Sequence, residues 1–435
     1  RGGWAQVGND TDPYNLESYY AASSGGAFGS NPRYNPPTTM SNPYLKPEST
    51  RSWEVGLEAR MLDNRVGFDI SYFQKDTYDQ IVPVMISGAS GYASMYINSG
   101  HMSNKGIEVT LHTTPVKTKD LTWDLDFNYT RNRNMILELY GDIELYNLYE
   151  SATYGNTRIG TYAMVGEEWG VLMSDSEPLR DAATGKPILR WSSGNRGVLL
   201  YRSNEMKKVG SMQPDFFGSV NSTLNFKNFQ LGFLIDAKIG GMISSYHGRY
   251  GAGTGVFEST LANRDAEHGG ITWTSPWTGE TYEDGIIPDG IFAAGQTIVM
   301  KDPDTGIETT YNVGGMTYQE AIDAGYAEPT HVSYWVYQTN SWSNGVINEN
   351  VLMENSYVCF RELSLGYSLP ESISGKIGAR GINILLYARN LGYLYNTMTN
   401  HLHPESITSN YACAAHEWMQ IPYTRTFGLK LNLNF

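Results

Sequence analysis

The sequence predicts an all-β fold, namely a transmembrane antiparallel β-barrel with long extracellular loops. The first observation is that apolar and polar residues alternate with a period of two, as in strands that bury one face. The second is that short turns and long connections alternate strictly along the 435 residues. The third is that the chain ends on Phe435, an aromatic residue that closes an alternating strand. Outer-membrane barrels combine short turns at one end with long loops at the other.

Ten segments carry the alternation. In the second segment, for example, Trp53 and Val55 alternate with Glu54. The predicted strands are 1–7, 51–61, 65–75, 105–113, 121–133, 216–226, 229–240, 356–369, 380–391 and 423–435. The predicted short turns are 62–64, 114–120, 227–228 and 370–379, and the predicted long loops are 8–50, 76–104, 134–215, 241–355 and 392–422. A β-sandwich has no reason to collect its long loops at one end, and structureless loops of this length in a compact domain are uncommon without a function.

The composition excludes several other classes of protein. Aromatic residues make up 13% of the chain and charged residues only 17%, which does not suit a disordered protein. The net charge of −14 disfavours binding to phosphate backbones, so we expect no nucleic-acid partner. No apolar run reaches the roughly 18 residues of a membrane helix. Two cysteines, Cys359 and Cys413, are too few for a disulfide framework or an ordinary zinc site.

The polar face of the strands is expected to line the barrel interior, where charges avoid the cost of facing lipid. Its predicted members are Glu54, Glu58, Arg60, Asp69, Glu108, Asp124, Asp126, Asn128, Asp236, Lys238, Glu362 and Lys430. Three arginines, Arg131, Arg361 and Arg425, fall on the lipid-facing side instead, near the outer ends of their strands. Either lipopolysaccharide phosphates or a β-bulge would accommodate them, and the sequence leaves both explanations open.

The longest connection, 241–355, is strongly acidic. It holds fifteen acidic residues against Arg249, Arg264 and Lys301, so nearly all of the net charge resides there. This surplus suits a neutral or cationic substrate, divalent ions or a partner protein, and a plain solvated surface explains it equally well.

The same connection supplies the candidate substrate- or partner-binding residues. These are Trp273, Trp277, Tyr282, Tyr334, Trp335 and Trp342. Flat aromatic faces suit sugar rings, because the apolar face of the ring stacks while its hydroxyls form hydrogen bonds at the rim. The alternative is that these residues pack a small core of the connection or meet a partner protein.

Signals for metal binding and catalysis are weak. The segment 302–306 (Asp-Pro-Asp-Thr-Gly) is similar to the start of a calcium loop, but its proline and the lack of a correctly spaced Glu argue against an EF-hand. His401, His403 and His416 would need further ligands to hold a metal. No catalytic triad or opposed carboxylate pair is evident, so we expect no enzyme activity and no cofactor, with calcium as the one ion that the pattern could suit.

Several stretches resemble the SusC-like branch of TonB-dependent outer-membrane transporters, as found in Bacteroidetes. Segment 42–48 (Asn-Pro-Tyr-Leu-Lys-Pro-Glu) and the strand after it are similar to the family's Asn-Pro-x-Leu-Lys-Pro-Glu element. Segment 104–108 (Asn-Lys-Gly-Ile-Glu) matches a second element, and 361–370 resembles the penultimate hairpin. The motif residues to which we assign structural roles are Asn104, Lys105, Gly106, Glu108, Leu365, Gly366, Tyr367, Pro370 and Phe435.

The resemblance implies a barrel of 22 strands, to which residues 1–435 contribute about ten C-terminal strands. The plug domain, the TonB-interaction segment and the first half of the barrel are then expected outside this sequence. The family's activity is TonB-dependent import across the outer membrane of a Gram-negative bacterium. Its members use a SusD-like surface lipoprotein as partner, take up oligosaccharides or, in some cases, peptides, and contact membrane lipid and lipopolysaccharide.

Two other functions compete with this one. The first keeps the barrel but imports a siderophore or cobalamin. The second, from a different class, is a soluble or surface-attached β-rich glycan-binding protein, which would fold without detergent.

Overall fold

Ten long strands form one antiparallel sheet in which each strand pairs with the next in this series. The computed structural model describes residues 1–13, 15–22, 25–141, 143–151, 158–192, 197–341, 345–406 and 415–435. The strands are β1 (Gly2–Asn9), β2 (Glu48–Met61), β3 (Val66–Tyr78), β4 (His101–Lys117), β5 (Leu121–Glu138), β6 (Phe216–Phe226), β7 (Phe229–Ile239), β8 (Tyr357–Ser368), β9 (Gly381–Asn396) and β10 (Thr426–Asn434). All ten predicted strands are therefore confirmed.

The register follows from the short turns. Met61 pairs with Val66 across the first turn, and Phe226 pairs with Phe229 across the third. At the other end the strands run further than the alternation predicts: β3 continues to Tyr78 and β5 to Glu138. Backbone pairing does not need an apolar face, so the ladder continues beyond the point where the side-chain pattern stops.

The two faces of the sheet differ in polarity. On one face large apolar side chains are exposed, including Leu57 at 60%, Leu365 at 47% and Leu429 at 65%. On the other face polar groups bond to each other across strands, as Asp126 does with His112 at 2.6 Å. An apolar face of this extent requires a lipid environment, and the polar face is the predicted lumenal wall.

The long connections contain secondary structure that the sequence pattern did not predict. Their strands are Ala21–Ala22, Tyr34–Asn35, Thr39–Met40, Ile81–Met85, Ser94–Asn98, Leu145–Ser151, Ile159–Met164, Val171–Ser174, Ile188–Ser192, Gly197–Leu200, Lys207–Ser211, Met242–Ser245, Ile271–Thr274, Thr281–Ile286, Ile291–Phe292, Thr297–Lys301, Glu308–Asn312, Thr330–His331, Asn340–Ser341, Gly345–Val346, Leu352–Glu354 and His416–Glu417. Their α-helices are α1 (Tyr246–Thr254), α2 (Tyr318–Asp323), α3 (Val332–Thr339) and α4 (Asn348–Val351), and their short 3₁₀ helices are Gly88–Ser90, Glu258–Leu261 and Thr399–His401. The short turn 370–379 at the other end of the sheet contains α5 (Glu371–Ser374) and the 3₁₀ helix Gly375–Ile377.

Connections 134–215 and 241–355 share one hydrophobic core. Leu189 and Trp191 come from the first, and Phe292 and Tyr318 come from the second. The strand Ile188–Ser192 also pairs in parallel with Ile291–Phe292. The two connections therefore fold together at the outer end of the sheet. Among the described residues, no helix has both the length and the apolar character needed to cross a membrane.

Candidate functional site

Two of the six candidate aromatic residues lie side by side on a small sheet of connection 241–355. Trp273 and Tyr282 are directly opposite each other on neighbouring strands, with ring centroids 5.1 Å apart. The third strand of this sheet brings in His331, whose ring lies 5.0 Å from Trp273 and 4.8 Å from Tyr282. We call these three residues the aromatic cluster. All three are half-buried, so part of each ring is accessible.

Carboxylates surround the aromatic cluster. The Tyr282 hydroxyl donates to Oε2 of Glu280 at 2.6 Å, and Nδ1 of His331 lies 2.9 Å from Oδ1 of Asp284. These contacts hold the polar edges of the rings in place. The cluster thus combines apolar ring faces with hydrogen-bond acceptors at their rim, which is the arrangement that a sugar or an aromatic or cationic peptide side chain requires.

The other candidate aromatic residues pack the interior of the connections. Trp277 is only 9% exposed, and its ring lies 5.4 Å from that of Trp191. Trp335 packs against the same core. Tyr334 covers Gly197 so closely that a Cβ on this glycine would lie 2.5 Å from the ring. Trp342 lies outside the described residues. The packing alternative therefore describes Trp277, Tyr334 and Trp335, and substrate contact stays a prediction for Trp273 and Tyr282.

The segment 302–306 forms a tight turn. The carboxylate of Asp302 accepts hydrogen bonds from the backbone amides of Asp304 and Thr305 at 3.0 and 2.7 Å. Hydrogen bonds from Thr305 hold the pKa of Asp302 below its ordinary value; the bond from the backbone amide has the larger effect and the bond from the side chain the smaller one. One of its oxygens is therefore already occupied within the turn. In the described part of the chain, no group of three or more His, Cys, Asp or Glu residues is arranged to hold a metal ion.

A buried polar cluster at the outer ends of β7, β8 and β9 was not predicted. Its centre is Arg361, which the β7–β8 ladder skips: Leu234 pairs with Glu362 and Ile235 pairs with Phe360. Arg361 is thus the extra residue of a β-bulge, which turns its side chain to the polar face. The bulge is the correct explanation for this arginine, and its predicted lipid-facing position is wrong. Arg131 and Arg425 remain exposed.

The guanidinium of Arg361 joins the barrel wall to the last long connection. It donates to Asp236 of β7 at 3.0 Å and to Glu405 of the connection 397–406. Glu405 also accepts hydrogen bonds from the hydroxyls of Tyr393 at 2.7 Å and Tyr357 at 3.2 Å. We call these five residues the mouth cluster.

Burial alone would raise the pKa of Glu405, but the hydrogen bonds from Arg361 and the two tyrosines outweigh it and lower the pKa below its ordinary value. The side chains of Arg361 and Glu405 are only 19% and 18% exposed. An ionised carboxylate with three donors is a firm attachment point, so the mouth cluster holds connection 397–406 against the wall.

Comparison with known proteins agrees with this architecture. Residues 1–163 match the family model described as TonB dependent receptor-like, beta-barrel. Over 423 residues the chain is 23% identical to TonB-dependent receptor P3 of Formosa agariphila, covering 92% of this chain. Over 227 residues, 51% of the chain, it is 27% identical to TonB-dependent receptor SusC of Bacteroides thetaiotaomicron. The chain is therefore similar to the SusC-like TonB-dependent transporters.

The fold of this SusC-like chain also matches a solved structure. It aligns over its full length with a chain of the RagAB peptide transporter, with a TM-score of 0.65 and 18% identity, and covers 40% of that chain. The sequence alignments cover 35% of the P3 receptor and 21% of SusC, so the chain spans only part of the length of the relatives that it matches. Family and strand architecture together place it in the outer membrane.

The SusC-like motif residues occupy defined positions in the strands. Gly106 on β4 lies under the ring of Phe73, where a Cβ would approach the ring to 2.3 Å. Tyr367 on β8 packs against Phe229 across the ladder, with ring centroids 4.6 Å apart. The remaining motif residues follow the same strands: Asn104, Lys105 and Glu108 on β4, Leu365 and Gly366 on β8, Pro370 at the start of α5, and Phe435 immediately after β10. Their structural roles stay predictions.

Cys359 on β8 is 2% exposed and carries a free thiol. Cys413 lies outside the described residues.

Proposed function

We propose that this chain forms part of the wall and external surface of a TonB-dependent importer that takes up oligosaccharides without chemically changing them. Capture takes place at the external connections, and a SusD-like surface lipoprotein closes over the bound substrate. Energy supplied through TonB then opens the path through the lumen. Similarity to the SusC-like family supports transport over the soluble glycan-binding alternative, and it disfavours a siderophore or cobalamin as cargo.

The observation that carries the oligosaccharide proposal is the aromatic cluster. Trp273 and Tyr282 present adjacent rings of a cross-strand pair, while Glu280 and Asp284 supply acceptors beside them. Sugar rings bind such sites by stacking an apolar face and directing hydroxyls to the rim. The polar lumenal face then offers a hydrated path, as around the His112–Asp126 contact.

The second candidate substrate is an oligopeptide. The acidic surplus of connection 241–355 favours a cationic ligand over a neutral one. RagAB, which shares this fold, is named as a peptide transporter. A cationic peptide would meet the same aromatic cluster through cation–π contacts and the same carboxylates through ion pairs.

Binding to the protein purified from outer membranes tests the proposal and separates the two substrates. We expect neutral oligosaccharides to bind, and W273A/Y282A to weaken their binding by at least about ten-fold, since one stacked ring contributes roughly 0.5–1.5 kcal/mol beyond its buried area. Tyr337→Ala is the matched control, because Tyr337 is an exposed aromatic residue of the same connection outside the cluster. Binding of neutral sugars should not change between low and high salt, whereas binding of a cationic peptide should weaken.

The partner is tested separately. We expect a surface lipoprotein to copurify with the protein from native membranes. Oligosaccharide transport is refuted if the complex binds peptides and no sugar, and the whole importer proposal is refuted if it binds neither and carries no lipoprotein.

A further inference from the structure

A cavity of about 420 Å³ adjoins the aromatic cluster, and we call it the side cavity. Its walls come from the C-terminal end of α1, from α3, and from Arg264 and Asp284. Small-molecule sites usually have volumes of about 300–1,000 Å³, so the size suits a ligand. Thr254, Arg264 and Ser333 on its lining are exposed, so a ligand can enter from the external side.

The side cavity and the aromatic cluster meet at Asp284. Oδ1 of Asp284 lies 2.9 Å from Nδ1 of His331 in the cluster, and the same residue lines the cavity. The backbone makes a second connection, because Val332, the first residue of α3, directly follows His331 and also lines the cavity. The two sites are therefore neighbouring parts of one surface.

The loop that follows α1 holds Arg264 in place. Its Nη2 donates to the carbonyl oxygen of Gly255 at 2.9 Å and to Oγ1 of Thr260 at 3.1 Å. Gly255 has a φ of +73°, and a Cβ there would lie 2.8 Å from Nη2, so only glycine allows this close approach. Within the described ranges both bonds use one nitrogen, which leaves the N–H groups of Nε and Nη1 for a ligand.

The lining of the side cavity combines two opposite charges with an apolar wall. Arg264 can donate, Asp284 can accept, and Ala252, Val332 and Val336 are aliphatic. A sugar ring suits this combination, because its hydroxyls accept from a guanidinium and donate to a carboxylate while its C–H face packs on aliphatic side chains. A cationic group would be repelled by Arg264 and an anionic group by Asp284, so the pair favours neither charge.

We propose that the side cavity is a second sugar-binding subsite, which takes the neutral unit next to the one stacked on the aromatic cluster. This inference rests on the proposed import of oligosaccharides and makes it more specific, since the substrate then has at least two consecutive neutral units. It also favours a sugar over a cationic peptide. Arg264 is one of three cations in connection 241–355, and it lies where the second unit of such a peptide would bind.

Sugar binding to the protein purified from outer membranes tests the subsite. The probes are gluco-, manno-, galacto- and xylo-oligosaccharides of one to four units, and saturation-transfer NMR gives their dissociation constants. In the series that binds most tightly, we expect affinity to rise about ten-fold from one unit to two, since a hydrogen bond to a charged group contributes at least that factor.

Two variants address the cavity alone. Ser333→Trp fills the cavity with an indole and should abolish the rise in affinity from one unit to two. Arg264→Gln keeps a donor but loses the charge, so it should weaken two-unit binding about five-fold. Both variants should retain one-unit binding, because the rings of Trp273 and Tyr282 are unchanged. A general loss of structure would instead weaken both lengths.

Thr310→Trp is the matched control, because Thr310 is an exposed residue of the same connection on the hairpin 297–312, outside the cavity lining. It should keep the rise from one unit to two. If Ser333→Trp does not fold, Arg264→Gln alone still predicts the five-fold loss. Equal affinity for one and two units, or variants that bind two units as the unaltered protein does, would overturn the second subsite and leave the proposed function intact. If none of the sugars binds, the proposed function fails together with this inference.

Discussion

Removing the charge of Glu405 should release connection 397–406 from the barrel wall. Glu405→Gln keeps an acceptor for the hydroxyls of Tyr357 and Tyr393 but loses the ionic contact with Arg361. A hydrogen bond to a charged group contributes about 1.5–3 kcal/mol, and Arg361 retains Asp236 as a partner. We therefore expect a loss of about 2 kcal/mol in the stability of this local attachment.

Glu405→Ala extends the series. It also removes the acceptor for two phenol hydroxyls, each of which contributes about 1 kcal/mol, so the expected loss is about 4 kcal/mol. Hydrogen exchange of the backbone amides in 397–406 measures this local opening directly. Rates should rise about 30-fold in Glu405→Gln and several hundred-fold in Glu405→Ala, since 1.4 kcal/mol corresponds to a factor of ten.

Glu371→Gln is the control, because Glu371 is an exposed glutamate on α5 at the opposite end of the barrel. It should leave exchange in 397–406 unchanged. The reasoning fails if the Glu405 variants exchange at the original rates in this segment, or if exchange rises equally in every strand.

Two further predictions concern the external connections. Trp277→Ala should destabilise their shared core by about 3–5 kcal/mol, seen as a lower denaturant midpoint by tryptophan fluorescence, because Trp277 is buried against Trp191. Burial lowers the pKa of His416 to about 4, against about 6.5 for an unfolded chain. The packing of His416 on Met242–Ser245 should therefore be fully stable above pH 6.5 and lose up to about 3 kcal/mol as the pH falls to 4, measured by hydrogen exchange in Met242–Ser245.

Each of these has a control. Tyr337→Ala should leave the free energy of unfolding within about 0.5 kcal/mol of its original value, because Tyr337 is exposed. His416→Gln should abolish the pH dependence in Met242–Ser245. An unchanged midpoint for Trp277→Ala, or the same pH dependence with and without His416, would contradict the respective argument.

The barrel wall was predictable because lipid imposes a strict pattern on it. Every second residue of β2 must be apolar where it meets hydrocarbon, so Trp53 and Val55 identify the strand and its face from sequence alone. The position of Arg361 was not predictable, although its break in the pattern was visible. Whether such a residue bulges inward depends on the strand that pairs with it and on Glu405, which is remote in sequence.

The external connections were predictable only in composition. Their strands are short and bury residues against each other in several directions, so no single period appears in the sequence. For the same reason the sequence pattern does not distinguish an accessible Trp273 from a buried Trp277. One is half-exposed on a small sheet, whereas the other is buried in a core to which another connection contributes Trp191. Glu405 has no local signal, because its role comes entirely from contacts with distant strands.

The shared core of connections 134–215 and 241–355 makes them a single unit for inheritance and for engineering. Leu189 and Trp191 fill space between Phe292 and Tyr318, so neither connection has a complete interior of its own. A chimera that exchanges one connection between relatives would combine two halves of different cores. An engineered protein that is meant to acquire the substrate specificity of a relative should therefore receive both connections together. As the family diverges, substitutions in the core residues of one connection should be accompanied by compensating substitutions in the other.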